Sequence, residues 1–222
     1  MQAANLSSTY FLDFEHRIIQ DFISTHTTNT STKEEKAIQL YYAIRDKLRY
    51  DPYTYSVEKD KFIASAVIES GRNWCVPKAI AYAACCRAIG VPARLGYADV
   101  RNHLSTERMR QQMKTDVFHW HGYVSVFLHD KWVKATPAFN IELCEKFGLK
   151  PLEFDGHTDS LYHAFDLVGN QHMEYLLDRG TFDYFPYAEM VTDIRALYKN
   201  LETEEFADFD ADVEKEVSIK TP

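Results

Sequence analysis

The sequence has no run of about 18 apolar residues, the length a membrane-crossing helix needs, so no transmembrane helix is expected. Its start, "MQAANLSSTYFLDFEHRIIQ", has neither a basic segment nor an apolar stretch of the kind that directs export. Basic residues are the minority: 25 Lys and Arg against 33 Asp and Glu give a net charge of -8. A nucleic-acid partner normally leaves a basic footprint, so none is expected. Four cysteines in 222 residues are too few for a disulfide framework. Without an export signal, reduced thiols and a cytoplasmic location are the expectation. No internal repeat is visible, and a chain of this length can bury a core without covalent staples.

What is present is an ordinary globular composition, 45% hydrophobic, with 14 Tyr and 14 Phe. "YFLDFEHRIIQDFIS" and "KEEKAIQLYYAIRDKLRY" space their apolar residues as helices do. Ser31 and Glu34 match a capping box at the start of the second. "DKFIASAVIES" is a shorter helix with Gly71 just past its end. Another helix runs from Trp74 or Cys75 to Ala88, with Asn73 as N-cap, Pro77 in its first turn and Gly90 beyond its end. "VPARLGYADV" reads as a strand, and "FHWHGYVSVFL" and "KWVKATPAF" as a hairpin closed at "HDK". "AEMVTDIRALYKNLE" reads as a last helix. Helices first and strands later predict an α+β fold, N-terminal helices on an antiparallel sheet. The expected division is residues 1–30 as an N-terminal helix and loop and 31–140 as the core. Residues 141–205 form an extension packed on that core, and 206–222 a flexible acidic tail.

Cys75 stands in the first turn of its helix, where free amides and the helix dipole favour a thiolate and can face an oxyanion. Cys85 and Cys86 fall mid-helix among alanines and read as packing. A cysteine nucleophile needs a base, usually histidine. His119 and His121 share one face of their strand by alternation. A two-residue turn at His129 and Asp130 places Leu128 opposite Lys131 and Tyr123 opposite Thr136, which makes Thr136 a diagonal neighbour of His121.

Together "WCVPKAIAYAACCRAIGVPARLGY" and "HGYVSVFLHDKWVKATPA" resemble the core of the transglutaminase-like superfamily, over roughly Lys33 to Asn140. The resemblance implies a papain-like fold with its nucleophile at a helix N-terminus. It implies Cys75 as nucleophile and His121 as base. The family's third residue, an Asp, falls on Thr136, whose uncharged hydroxyl would stabilise an imidazolium less well. Asn140 is an alternative orienter and His119 an alternative base. Trp74, Tyr162 and His163 are candidates for lining a substrate cleft, with Tyr175 beside them.

The expected function is cysteine-dependent acyl transfer on a peptide, protein or amide, by hydrolysis or by transfer to an amine. The alternative is a catalytically silent domain of the same fold that binds a protein or peptide. No metal or cofactor is expected. His119 and His121 as a metal pair lack the following Glu, and His157, Asp159, His163, Asp166, His172 and Glu174 match no zinc spacing. Oligomeric state is not legible.

Overall fold

The computed structural model describes residues 3–102, 105–161, 165–169, 172–198 and 208–220. The architecture grows around one helix, α4 (Cys75–Ala88). Its sequence, "CVPKAIAYAACCRA", has no polar stripe, and all but one of its side chains are buried. A helix apolar all round must be surrounded. Three helices from the N-terminal part do so on one side: α1 (Arg17–His26), α2 (Lys33–Lys47) and α3 (Ala64–Ser70). The sheet covers the other side.

The capping box of α2 is Thr32 with Glu35, one residue later than the Ser31–Glu34 pair read from the sequence. Thr32 Oγ1 accepts from the Glu35 amide, and Glu35 accepts from the Thr32 amide. Gly71 ends α3 in the left-handed region, as expected. Two short segments, β1 (Arg49–Tyr50) and β2 (Arg72–Asn73), pair in parallel and deliver the chain to α4. Asn73 is not the N-cap of α4. Trp74 takes that position, and Asn73 Oδ1 accepts from the Trp74 amide instead.

The main sheet contains β3 (Ala93–Asn102), β4 (Val117–Leu128), β5 (Lys131–Ala135) and β6 (Met173–Phe182), in the antiparallel order β5-β4-β3-β6. His129 and Asp130 both take positive φ, the backbone of a tight two-residue hairpin. Leu128 therefore pairs with Lys131 and Val124 with Ala135, the register expected from the sequence. β6 arrives from the region after Asn140 and joins the sheet beside β3.

Further helices are α5 (Glu107–Met113), α6 (Ile141–Phe147) and α7 (Tyr187–Leu197). A last one, α8 (Phe209–Lys220), stands where the sequence reading expected a flexible acidic tail. Phe209 and Val213 explain it: both are buried, packed with Leu143 of α6. Its acids meet bases of neighbouring elements, Asp212 with Arg108 and Glu214 with Lys146. Among the described residues no helix is long and apolar enough to cross a membrane.

Candidate active site

Gly122 sets the meeting of helix and sheet. A Cβ there would lie 3.0 Å from Val76 Cα and 3.2 Å from the Cys75 carbonyl oxygen. Any side chain would push β4 off the first turn of α4. This close approach brings His119 and His121 to the same cleft as Cys75. The cleft encloses about 740 Å³, open mouth included. Its walls are aromatic and apolar: Tyr50, Tyr53, Tyr55 and Trp74 on one side, Phe118 and Tyr198 on another, with Met109 and Met113 of α5. Trp74 lines the cleft and packs on Tyr55 and Phe62.

Cys75 is 7% exposed. The helix end does not deliver a ready thiolate. Burial pushes the thiol up to about 11, against the pull of the Gly122, Val76 and Cys75 backbone and of Lys78. Desolvation of the charged form outweighs the helix N-terminus here. The thiol rests protonated at neutral pH, so chemistry at this sulfur requires a base that removes the proton during attack. Cys85 and Cys86 are fully buried. Burial drives Cys86 to about 12 and Cys85 well above its ordinary value, which agrees with packing roles.

Lys78 follows Cys75 by one helical turn and is fully buried. Its Nζ donates to the carbonyls of Arg45 at 2.9 Å, Ala138 at 2.7 Å and Leu48. Two of these belong to the C-terminal end of α2, whose last carbonyls have no intrahelical donors. Burial pushes the amine down to about 7, with Asp46 pulling it back up. Sequence reading assigned Lys78 no role.

The two histidines have different surroundings. Trp120 between them adopts φ +61°, and the β3–β4 register shifts there, with Ala98 opposite His121 but Val100 opposite Phe118. His119 Nδ1 lies 2.9 Å from Asp99 Oδ2, and its ring packs on Tyr198. His121 is buried and also lines a small cavity with Thr136, Ala138, Phe139 and Leu161. The register shift marks a bulge in the β3–β4 pairing, and both histidines still line the cleft with Cys75.

Thr136 and His121 border the same cavity, yet Thr136 Oγ1 has no hydrogen-bond partner among the described residues. The Thr136 hydroxyl therefore does not orient the His121 ring. Asn140 does not replace it. Its Oδ1 accepts from the Tyr50 amide at 3.0 Å and its Nδ2 donates to Glu142 at 2.7 Å, so its amide is committed to the loop before α6. Tyr162 and His163 lie outside the described residues.

The acid paired with a cleft histidine is Asp99, on β3, which sequence reading passed over. It is 5% exposed. Arg179 of β6 grips it with two bonds, Nε to Oδ1 at 2.5 Å and Nη2 to Oδ2 at 2.9 Å. The Trp120 amide donates to Oδ1 at 3.1 Å. Burial alone would raise the carboxyl. Arg179, His119 and the Trp120 amide outweigh it and hold Asp99 below the ordinary carboxylate range. Arg179 also reaches Asp193 of α7 at 2.9 Å, and Asp193 accepts from Trp120 Nε1 at 3.1 Å. The signal for Asp99 was available: antiparallel pairing of the two predicted strands brings the end of one beside the start of the other. Among the described residues no group of three or more His, Cys, Asp or Glu is arranged to hold a metal ion.

The transglutaminase-like superfamily core model matches residues 20–137. No curated protein is similar enough to count as a match. Solved structures that resemble part of the chain include two proposed proteases. One is a proposed cysteine protease from Cytophaga hutchinsonii, 16% identical over 60% of this chain and 40% of that one, with a TM-score of 0.44. The other is a proposed protease from Parabacteroides distasonis, 13% identical over 57% of this chain and 26% of that one, with a TM-score of 0.37. The family match covers more than half of the 222 residues, from α1 through the β4–β5 hairpin that carries the cleft histidines, and the chain belongs to the transglutaminase-like superfamily.

Proposed function

We propose that the protein is a cysteine-dependent acyl-transfer enzyme acting on an amide or peptide bond. The observation that carries this reading is the shared cleft: Cys75 at the start of α4 and two histidines of β4 line one aromatic-walled space. Cys75 attacks the carbonyl carbon while a β4 histidine takes the thiol proton, and family correspondence gives that part to His121. The amides at the start of α4 face the developing oxyanion. The amine leaves with the proton from the histidine, and water or a second amine resolves the thioester. Walls of Tyr, Trp, Phe and Met favour an apolar or aromatic acyl group. The expected site of action is the cytoplasm, with no cofactor.

A burst experiment tests this. With 4-nitrophenyl acetate, one equivalent of nitrophenolate is released rapidly, followed by turnover, and an added amine diverts product from acetate to amide. Cys75→Ala abolishes the burst. Absence of a burst, or one that survives Cys75→Ala, contradicts the reading. It would favour the silent binding domain, for which the Thr136 hydroxyl, without a partner among the described residues, and the raised Cys75 thiol speak. That protein would bind a peptide in the cleft without acylation.

A further inference from the structure

We propose that the acidic helix α8 sets which acyl groups the cleft accepts, by clamping α5 as the wall that holds a long apolar chain. The inference rests on the acyl-transfer reading above and names its acyl class. Arg108 of α5 and Asp212 of α8 become positioning residues for the substrate, since neither lines the cleft itself. The sequence of α5, "ERMRQQM", puts Met109 and Met113 one helical turn apart on the same face. Both line the cleft that holds Cys75, with Gln112 beside them. Yet no residue of α5 is fully buried. So short a helix does not hold itself together or in place, and what grips it decides where the methionine wall stands.

The grip comes from α8. Its sequence sets Asp212 and Glu216 one turn apart, and Phe209, Val213 and Val217 at the same spacing. The apolar side is the anchor: Phe209 and Val213 are buried with Leu143, and Met109 of α5 packs on the same cluster. The acids reach α5. Arg108 Nε donates to Asp212 Oδ2 at 2.7 Å. The Glu107 amide, a first-turn donor with no partner inside its own helix, donates to Glu216 Oε1 at 2.7 Å. Arg110 Nη2 stands 3.7 Å from Glu216 Oε2.

Asp212 also reaches a second wall of the cleft. Tyr53 lines the cleft, and its hydroxyl donates to Asp212 Oδ2 at 2.7 Å. The same hydroxyl lies 2.8 Å from Thr106 Oγ1, the N-cap of α5, which accepts from the Met109 amide at 3.3 Å. One carboxylate therefore ties Tyr53 to α5 and sets the gap between two walls. Arg108 above all, with Tyr53, holds Asp212 below the ordinary carboxylate range against the effect of burial, so the tie is charged at neutral pH.

The chemistry such a wall recognises is an unbranched apolar chain. Methionine side chains are flexible and polarisable and mould themselves to a chain. Among the described residues the cleft lining holds no Asp, Glu, Lys or Arg. A short acyl group leaves most of the methionine wall untouched, whereas a long one is buried against it. With α5 released from α8, a long chain has to order the helix and its methionines as it binds, and that ordering weakens binding. The penalty grows with chain length, which separates a selecting wall from a general loss of structure.

The test is the KM for nitrophenolate release from 4-nitrophenyl acetate, butyrate and octanoate by the full chain and by Arg108→Ala, Asp212→Asn and Lys146→Ala. The Arg108–Asp212 pair is partly exposed, so both clamp variants are expected to fold. In the native chain KM is expected to fall from acetate to octanoate. In Arg108→Ala and Asp212→Asn the octanoate KM is expected to rise about tenfold, with the acetate KM within about twofold. Lys146→Ala breaks the Lys146–Glu214 pair, which ties α8 to α6 instead of α5, and is expected to leave every KM unchanged. Equal changes for acetate and octanoate, or none for either, overturn the inference while Cys75-dependent release keeps the enzyme reading in place. A loss at Lys146→Ala as large as that at Arg108→Ala also overturns it. A second measurement needs no catalysis: calorimetric binding of octanamide to Cys75→Ala is expected to weaken about tenfold when Arg108→Ala is added. If the native chain shows no Cys75-dependent release, the enzyme reading fails and octanamide binding alone decides the clamp. No binding, or equal binding by the two chains, then overturns it.

Discussion

The helix side of the cleft and its strand side hold their reactive groups in different ways. On the helix side, Cys75 begins α4, whose small apolar residues let three helices and a sheet close around it. The result is a dry wall that pushes the thiol up to about 11. On the strand side, His119 belongs to a lattice of charge, Asp99, Arg179 and Asp193, cross-linked through Trp120. Apolar packing gives the nucleophile a fixed place but opposes its charged form. The ionic lattice costs desolvation, but its mutual bonds offset that cost and hold Asp99 below the ordinary carboxylate range. On the acyl-transfer reading proposed above, the thiol proton leaves during attack, with no standing thiolate.

Substitutions on the two walls break this comparison at different points. The largest effect is expected at Cys75. Cys75→Ala removes the acyl acceptor and is expected to cut turnover by about ten-thousand-fold or more, with a native circular-dichroism spectrum. Lys78→Met comes next and acts on stability. It leaves the Arg45, Leu48 and Ala138 carbonyls without their donor in a site closed to water, at a cost of about 3 kcal/mol in urea unfolding.

The same lysine makes stability depend on pH. Its folded value is lowered to about 7 from 10.5, so between those limits the unfolded chain holds a proton that the native chain has released. Stability therefore rises with pH from about 7. Cys75 opposes this above its ordinary 9.0, because its folded value near 11 keeps a proton that the unfolded chain loses. Urea midpoints are expected to rise between pH 7 and 9 in the native chain and to stay level in Lys78→Met. A rise of equal size in both would show that the lysine is not the titrating group.

On the strand wall, Arg179→Met strands Asp99 and is expected to cost about 2 kcal/mol. Its loss should be greatest at neutral pH. The lowered Asp99 carboxyl contributes stability above the ordinary carboxylate range and loses it as pH falls through its depressed folded value. The smallest effect is expected at the outer latch of α8. Arg108→Ala removes a partly exposed ion pair with Asp212, for about 0.5 kcal/mol. A drop larger than that for Arg179→Met would mean that α8 matters more to the cleft than the charged lattice does.

The helix wall was legible because its physics is local. The apolar spacing of α1 and α2, the left-handed stop at Gly71 and the run from Cys75 to Ala88 are written in consecutive residues. The two-residue turn at His129 and Asp130 likewise set the β4–β5 register. Beyond Asp99, the strand wall was not legible, because its parts lie far apart in the chain. Asp99, Arg179 and Asp193 meet only when β6 returns to pair with β3 and α7 packs behind it. The positive φ at Trp120 and the register shift beside it were also not visible in the residue pattern. The acidic C-terminal end misled for a related reason: its apolar anchors Phe209, Val213 and Val217 are few, and their partner Leu143 is remote in sequence. The helix start at Cys75 was legible in the residues, but burial, which depends on the whole fold, raises the thiol against the pull of the neighbouring backbone.

The central claim is that Cys75 alone among the four cysteines accepts an acyl group. Mass mapping of the protein after brief reaction with 4-nitrophenyl acetate at neutral pH tests it most directly. The account predicts one acetyl group per chain, carried as a thioester on Cys75, with Cys85, Cys86 and Cys144 unmodified. A folded chain that carries no thioester at Cys75, or carries acetyl on another cysteine as readily, contradicts it.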